Sequence, residues 1–306
     1  EHHRFLVKKV LLTGEPDIFE DAPMDYMTSS SAFDATDVAT QQRIAGIRKP
    51  ALRSVPRHDL YFRIHAALRV CMTEALTAVA RMDPDDPADV SAVVMRMQEL
   101  ITLFSGHLAN EDAFIHPAME ARRPGSTART AHDHAEHVQG FARLDRDVRA
   151  LRGALPAQRA DAVACLGRDL AAFVADNLVH MAAEERDNNG VLWSTHTDDE
   201  LAAIESSIVA SIPPQKLSSH LRWMVPALPP KERVALMRTV RTCAPQVFDA
   251  TLALVQPYRT DREWMKLVGE LTDQYTIAVA GRGTHPTLSR KRGGGRYSKL
   301  PHGHCL

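Results

Sequence analysis

Residues 107–116 read HLANEDAFIH, and residues 180–185 read HMAAEE. Each stretch sets a histidine four residues ahead of a glutamate: His107 before Glu111, and His180 before Glu184. An α-helix advances about 100° per residue, so positions four apart share a face. The repeat is therefore either chance spacing on solvated helices or two halves of one site. The apolar residues around each pair decide between these readings.

Around the first pair the stripe reads Leu100, Leu103, His107, Glu111 and Phe114. Around the second it reads Leu170, Phe173, Asn177, His180 and Glu184. Both pairs thus fall on the face that should turn into a core. Sustained helical periodicity with little glycine extends from His58 to about Trp193 and predicts four long helices. They run from His58 to Met82, Asp89 to Arg122, Thr130 to Arg152 and Gln158 to Trp193, separated by DPDDPAD, RRPGS and GALPA. Such short connections make consecutive helices antiparallel neighbours, so the expected fold is all-α, an up-down-up-down four-helix bundle.

The other two helices also turn histidines inward. The first carries Tyr61, His65, Leu68, Met72 and Val79, and the third carries His134, His137, Phe141, Leu144, Val148 and Leu151. His116 lies nine residues beyond His107, about 180° round a regular helix, and is expected to face away. His132 falls off the third stripe, and His58 sits two turns before His65 at the helix end.

Five inward histidines and two inward glutamates spread over four helices are hard to explain as core residues. A buried carboxylate costs several kcal/mol unless it is compensated. No inward lysine or arginine is evident beside these two, and a metal would compensate them directly. The candidate metal ligands are His65, His107, Glu111, His134, His137, His180 and Glu184. Seven exceed the three or four that one zinc takes from protein. Two carboxylates on opposing helices suit a bridge between two metals, and an imidazole-rich, oxygen-bridged site suits iron, with manganese or zinc as substitutes. Ferritin-like bundles use four glutamates and a Glu-x-x-His order, unlike the present pattern.

His65 in RIHAALR, HLANE at 107–111, DHAEH at 133–137 and HMAAE at 180–184 together resemble the hemerythrin-like (HHE cation-binding) proteins. They come in that family's order, one per helix, over about residues 58–193. The segment LRWMVPALPPKER resembles an extension seen on a bacterial subset of the family. The resemblance implies a non-haem di-iron centre with two iron ions. It implies His65 and His107 on one iron, His134, His137 and His180 on the other, and Glu111 and Glu184 as bridges. Two features depart from the oxygen carriers of the family. The third-helix histidines are three apart rather than four, and the last bridge is a glutamate four residues after its histidine rather than an aspartate five after. Glu185 stands at the longer spacing as a fallback. The four-residue variant also occurs in bacterial members linked to nitrosative stress and iron-centre repair.

The rest of the chain bounds the reading. Charge is balanced, with 37 basic and 38 acidic residues, and aromatics make up 6%; both argue against nucleic acid as the main partner. Apolar runs are too short to span a membrane. The four cysteines are widely spaced, which sets no disulfide framework and points to a reducing, cytoplasmic setting. The expected organisation is a poorly ordered leader (1–56, with one short helix near Thr36 to Ile47), the bundle (57–194), a short-helix C-terminal extension (195–272) and a disordered basic tail (273–306). Amphipathic extension helices anchored by Trp223 and Trp264 can pack on the bundle or form a homodimer. With no separate acid, base or nucleophile cluster, the expected function is binding of O2 or a related small ligand as sensor, store or scavenger. The alternative is redox turnover of peroxide or nitric oxide, or iron-centre repair.

Overall fold

The helix boundaries follow the local chemistry of the chain. A computed structural model describes residues 57–280, and among these residues all regular structure is helical. The bundle consists of α1 (Phe62–Arg81), α2 (Pro87–Asn110), α4 (Ala128–Gly153) and α5 (Pro156–Ala183). A wide π turn, Glu111–Ile115, carries α2 into a short α3 (His116–Arg122). A second, Glu184–Asn188, carries α5 into α6 (Asn189–Thr195). The extension contains α7 (Asp198–Ser211), α8 (Pro214–Ala227), α9 (Pro230–Cys243), α10 (Pro245–Val255) and α11 (Asp261–Ala280).

Asp86 starts α2 by accepting the Ala88 N–H at 2.8 Å, and Pro87 fills the first turn, where no N–H is needed. Thr197 and Glu200 exchange hydrogen bonds at the start of α7 in a capping box. Between α3 and α4 the chain reverses at Gly125, whose φ of 82° suits glycine. Glu120 holds that turn by accepting the N–H groups of Gly125 and Thr127.

The inward stripes of α1, α2, α4 and α5 form the main core, including Leu68, Met72, Met97, Leu100, Leu144, Leu151, Leu166 and Leu170. The expected leader, with its helix near Thr36 to Ile47, lies outside the described residues. So does the tail from residue 281. Helix α11 runs to Ala280, past the boundary at 272 expected from sequence. Cys71 and Cys165 are free, whereas Cys243 is disulfide-bonded, a departure from the expected all-reduced set. Among the described residues no helix is long and apolar enough to cross a membrane.

Of the two tryptophan anchors, Trp223 enters the bundle's core and Trp264 packs on the extension's own core. The guanidinium groups of Arg96 and Arg222 lie over the Trp223 ring, 5.1 and 4.7 Å from its centroid. Its Nε1–H donates to Glu99 at 3.2 Å. Arg222 also pairs with Glu99. Trp223 therefore pins α8 to α2. Removing a buried tryptophan side chain costs about 3 kcal/mol or more, so Trp223→Ala should lower the unfolding free energy by at least that much in urea denaturation. A loss below about 1 kcal/mol would mean that the extension is held elsewhere.

Candidate metal centre

Antiparallel packing brings the start of α1, the end of α2, the start of α4 and the end of α5 to the same end of the bundle. His65, His107, Glu111, His134, His180 and Glu184 meet there, all buried. They form two groups: His65, His107, Glu111 and Glu184, and then Glu111, His134, His180 and Glu184. Both glutamates belong to both groups, and each turns one oxygen to each histidine pair. On the first side, His107 Nε2 lies 3.3 Å from Glu111 Oε1, and His65 Nε2 lies 3.4 Å from Glu184 Oε2. On the other side, His134 Nε2 is 3.4 Å from Glu111 Oε2. His180 Nε2 is 3.2 Å from Glu184 Oε1, and His134 Nε2 is 3.6 Å from that same oxygen.

The four Nε2 atoms and the four carboxylate oxygens are all buried without a hydrogen-bond partner. Buried polar atoms are normally satisfied; eight orphans facing one another are donors that a metal ion would satisfy. Neighbouring donors that each sit ~2.1 Å from one metal are themselves roughly 3.0–3.4 Å apart, close to the separations observed. The two His/Glu clusters are consistent with a di-iron centre or a site for another divalent pair.

The outer nitrogens of three imidazoles are held by carboxylates that sequence reasoning did not assign. His134 Nδ1 donates to Asp112 at 2.7 Å, and His180 Nδ1 donates to Asp133 at 3.3 Å. His65 Nδ1 donates to Glu185 at 3.0 Å, and Arg69 also donates to that oxygen at 2.7 Å. When the rings are neutral, these bonds fix the tautomer that leaves Nε2 free on the inner side. Glu185, the fallback bridge of the sequence reading, therefore lies outside the clusters and orients His65. Each of the three carboxylates is a sequence neighbour of a site residue, a signal that the sequence did offer.

Two further histidines differ from expectation. His137 is buried, but it joins neither group. Its ring lies perpendicular to that of His180 at 4.7 Å and 6.5 Å from Phe173, and its Nδ1 has no partner. Three residues along a helix is about 300°, so His137 is rotated from His134 by about 60° and displaced along the axis. His116, expected to face away, is buried and stacks on His134 with ring centroids 4.8 Å apart. Its Nδ1 lies 3.2 Å from Asp112 and its Nε2 3.3 Å from Thr130 Oγ1. The cause is the π turn: the His116 N–H reaches back five residues to Glu111. This widened turn resets the phase that a regular helix would have kept. Asn189 N–H does the same to Glu184.

The family model of the hemerythrin HHE cation binding domain matches residues 58–189. Those residues are a hemerythrin HHE cation-binding domain. The C-terminal helices lie beyond it, and no curated protein and no solved structure matches the chain.

The charges of this domain's buried cluster are strongly coupled. Burial opposes a proton on His65, His134 and His180, yet the surrounding carboxylates outweigh it and lift them to about 9, 10 and 9. Burial and the cationic neighbour His65 push His107 well below the usual range. For His137, burial and the positive charges of His180 and His134 bring it down to about 4. Burial and the like charge of Glu184 raise Glu111 to about 7. Burial also acts to raise Glu184, but His180, His134 and His65 hold it well below the ordinary carboxylate range. The imidazolium protons occupy the electrostatic place of a cation, and a metal must displace them. Metal affinity should therefore rise as pH is raised toward about 9, measured by competition with a chelator whose own pH dependence is known. Asp112→Asn, at a half-exposed carboxylate, should lower that affinity roughly tenfold or more with an unchanged circular dichroism spectrum. Unaltered affinity would show that the bond to His134 does not orient it.

Proposed function

We propose that the protein is a non-haem di-iron protein that binds O2 or a related small ligand, as a sensor, store or scavenger. His65 and His107 would hold one iron and His134 and His180 the other, with Glu111 and Glu184 supplying carboxylate oxygens to both. The observation that carries this reading is the division of the carboxylate oxygens, each glutamate turning one to each histidine pair. When bound, two irons supply reversible redox chemistry and positions for a small ligand. Imidazole and carboxylate donors suit iron, with manganese or zinc as substitutes.

The chain's own residues fit this role. Glu185, Asp112 and Asp133 hold three imidazoles in the orientation the metals need. Tyr61 is fully buried against His65 and accepts a hydrogen bond from Asn188 at 3.1 Å. Burial, and then the charges of Glu184 and Glu111, keep its phenol protonated. The site thus presents a neutral phenol and apolar neighbours rather than a solvated face, which favours an uncharged ligand.

A second reading, redox turnover of peroxide or nitric oxide or iron-centre repair, gains support from the position of His137. With that residue beside the cluster, the two groups have equal complements of two histidines, unlike the unequal set of an oxygen carrier implied by resemblance. The optical spectrum of the reduced protein exposed to O2 separates the two. Reversible binding gives an absorption band that disappears under vacuum, whereas turnover leaves an oxidised form that vacuum does not reverse.

Metal content tests the common ground. The purified chain, reconstituted with ferrous iron without oxygen, should hold two irons. His107→Ala and Glu111→Ala should each bring it to one or fewer, whereas His137→Ala should retain both. A wild-type content well under one metal per chain would overturn the reading.

A further inference from the structure

We propose that the C-terminal extension is part of the ligand site. Helices α7 and α8 wall a chamber that holds a small uncharged molecule of two or three heavy atoms beside the His65–His107 half of the centre. This deepens the reading above and rests on it. A cavity of about 100 Å³ reaches His107 and Glu111 at its floor. The bundle contributes Ile64 and Ile115, and the extension supplies much of the remaining wall, with Ile208, Val209, Ile212 and Leu217. The rim is polar. Arg63 and Glu205 are partly exposed there and lie 3.7 Å apart, and His58 Nε2 approaches Glu205 to 2.9 Å.

Size and chemistry define the occupant. An apolar cavity of roughly 150 Å³ is large enough for benzene or a xenon atom; the smaller volume here suits a gas molecule. Glu111 at the floor and Glu205 at the rim disfavour an anion. His220, on α8, adds a single polar contact. Its Nδ1–H donates to the Lys216 carbonyl at 2.7 Å, leaving Nε2 as a buried acceptor without a partner. A bare bundle lacks this wall, so the extension sets which molecules reach the metals and how fast.

Val209 lines the chamber but is part of none of the three apolar cores, so it can be exchanged with little effect on folding. Val209→Trp fills the space, and Val209→Ala enlarges it. In the full-length metal-loaded protein, xenon NMR should show one saturable site in the wild type and in Val209→Ala, and none in Val209→Trp. Nitric oxide should combine with the reduced, iron-loaded Val209→Trp protein at least tenfold more slowly than with the wild type, at equal iron content and equal thermal unfolding. Ile212→Trp repeats the test from the end of α7 should the first variant unfold. A filled variant that keeps the xenon signal or the wild-type rate overturns the proposal, as does a wild type without a xenon site. A wild type that takes up xenon but no metal overturns the di-iron reading instead and leaves the chamber standing.

Discussion

Glu111 and Glu184, 1% and 0% exposed, face one another across the interior of a helical bundle. Two carboxylates in that position cost several kcal/mol each unless opposite charge and hydrogen bonds offset the loss of water. Their close partners among the described residues are imidazoles, and the eight facing donor atoms make no hydrogen bonds that would finish the compensation. A pair of divalent cations would complete it in one step, and much of the remaining architecture holds the donor atoms in place. The outer carboxylates fix the imidazoles. The leucine and methionine stripes supply stability away from the polar end, where apolar packing is interrupted.

The two glutamates also begin the two π turns. HLANE and HMAAE thus repeat a backbone distortion as well as a pair of side chains. In each, the glutamate N–H is shared between two carbonyls of the preceding turn, and its own carbonyl accepts from five residues on. Such turns are uncommon and concentrate at functional sites. Their effect here is measurable in which residues point inward: Ile115 and His116 after the first, Asn188 and Asn189 after the second, all buried. His116 then stacks on His134, and Asn188 reaches the Tyr61 hydroxyl. The distortion therefore turns a second layer of polar residues inward.

The helices and the inward convergence of six of the seven candidate residues were legible because apolar stripes with a regular period fix both a helix and its inward face. The same regularity misplaced His116, since an assumed 100° per residue cannot anticipate a π turn. His137 shared a nominal stripe with His134, but a three-residue step leaves an angular offset that only the packed neighbours His180 and Phe173 resolve. The imidazole-holding roles of Asp112, Asp133 and Glu185 were illegible for another reason: they lie in contacts across helices, which depend on crossing geometry rather than period. Their adjacency to Glu111, His134 and Glu184 is a usable sign in similar sequences. The extension offered amphipathic helices but no indication of which face of the bundle they would meet.

That docking has a physical reason at the metal end. A bundle with a polar cluster in its interior cannot continue its apolar core through that level, so the last turns of its helices need another hydrophobic surface. A small core beyond the cluster, formed by Tyr61, Ile115, Met119 and Leu192, is completed by Leu201 of α7. Arg57 ties the same region together by donating to the carbonyls of Trp193 and His196, both at 2.9 Å, and to Asp198 at 2.7 Å. The extension thus restores burial that the buried polar site removes. Ile208 of α7 packs on this small core and also lines the cavity that reaches His107 and Glu111, so stabilising the bundle end and enclosing that side of the cluster are one structural solution.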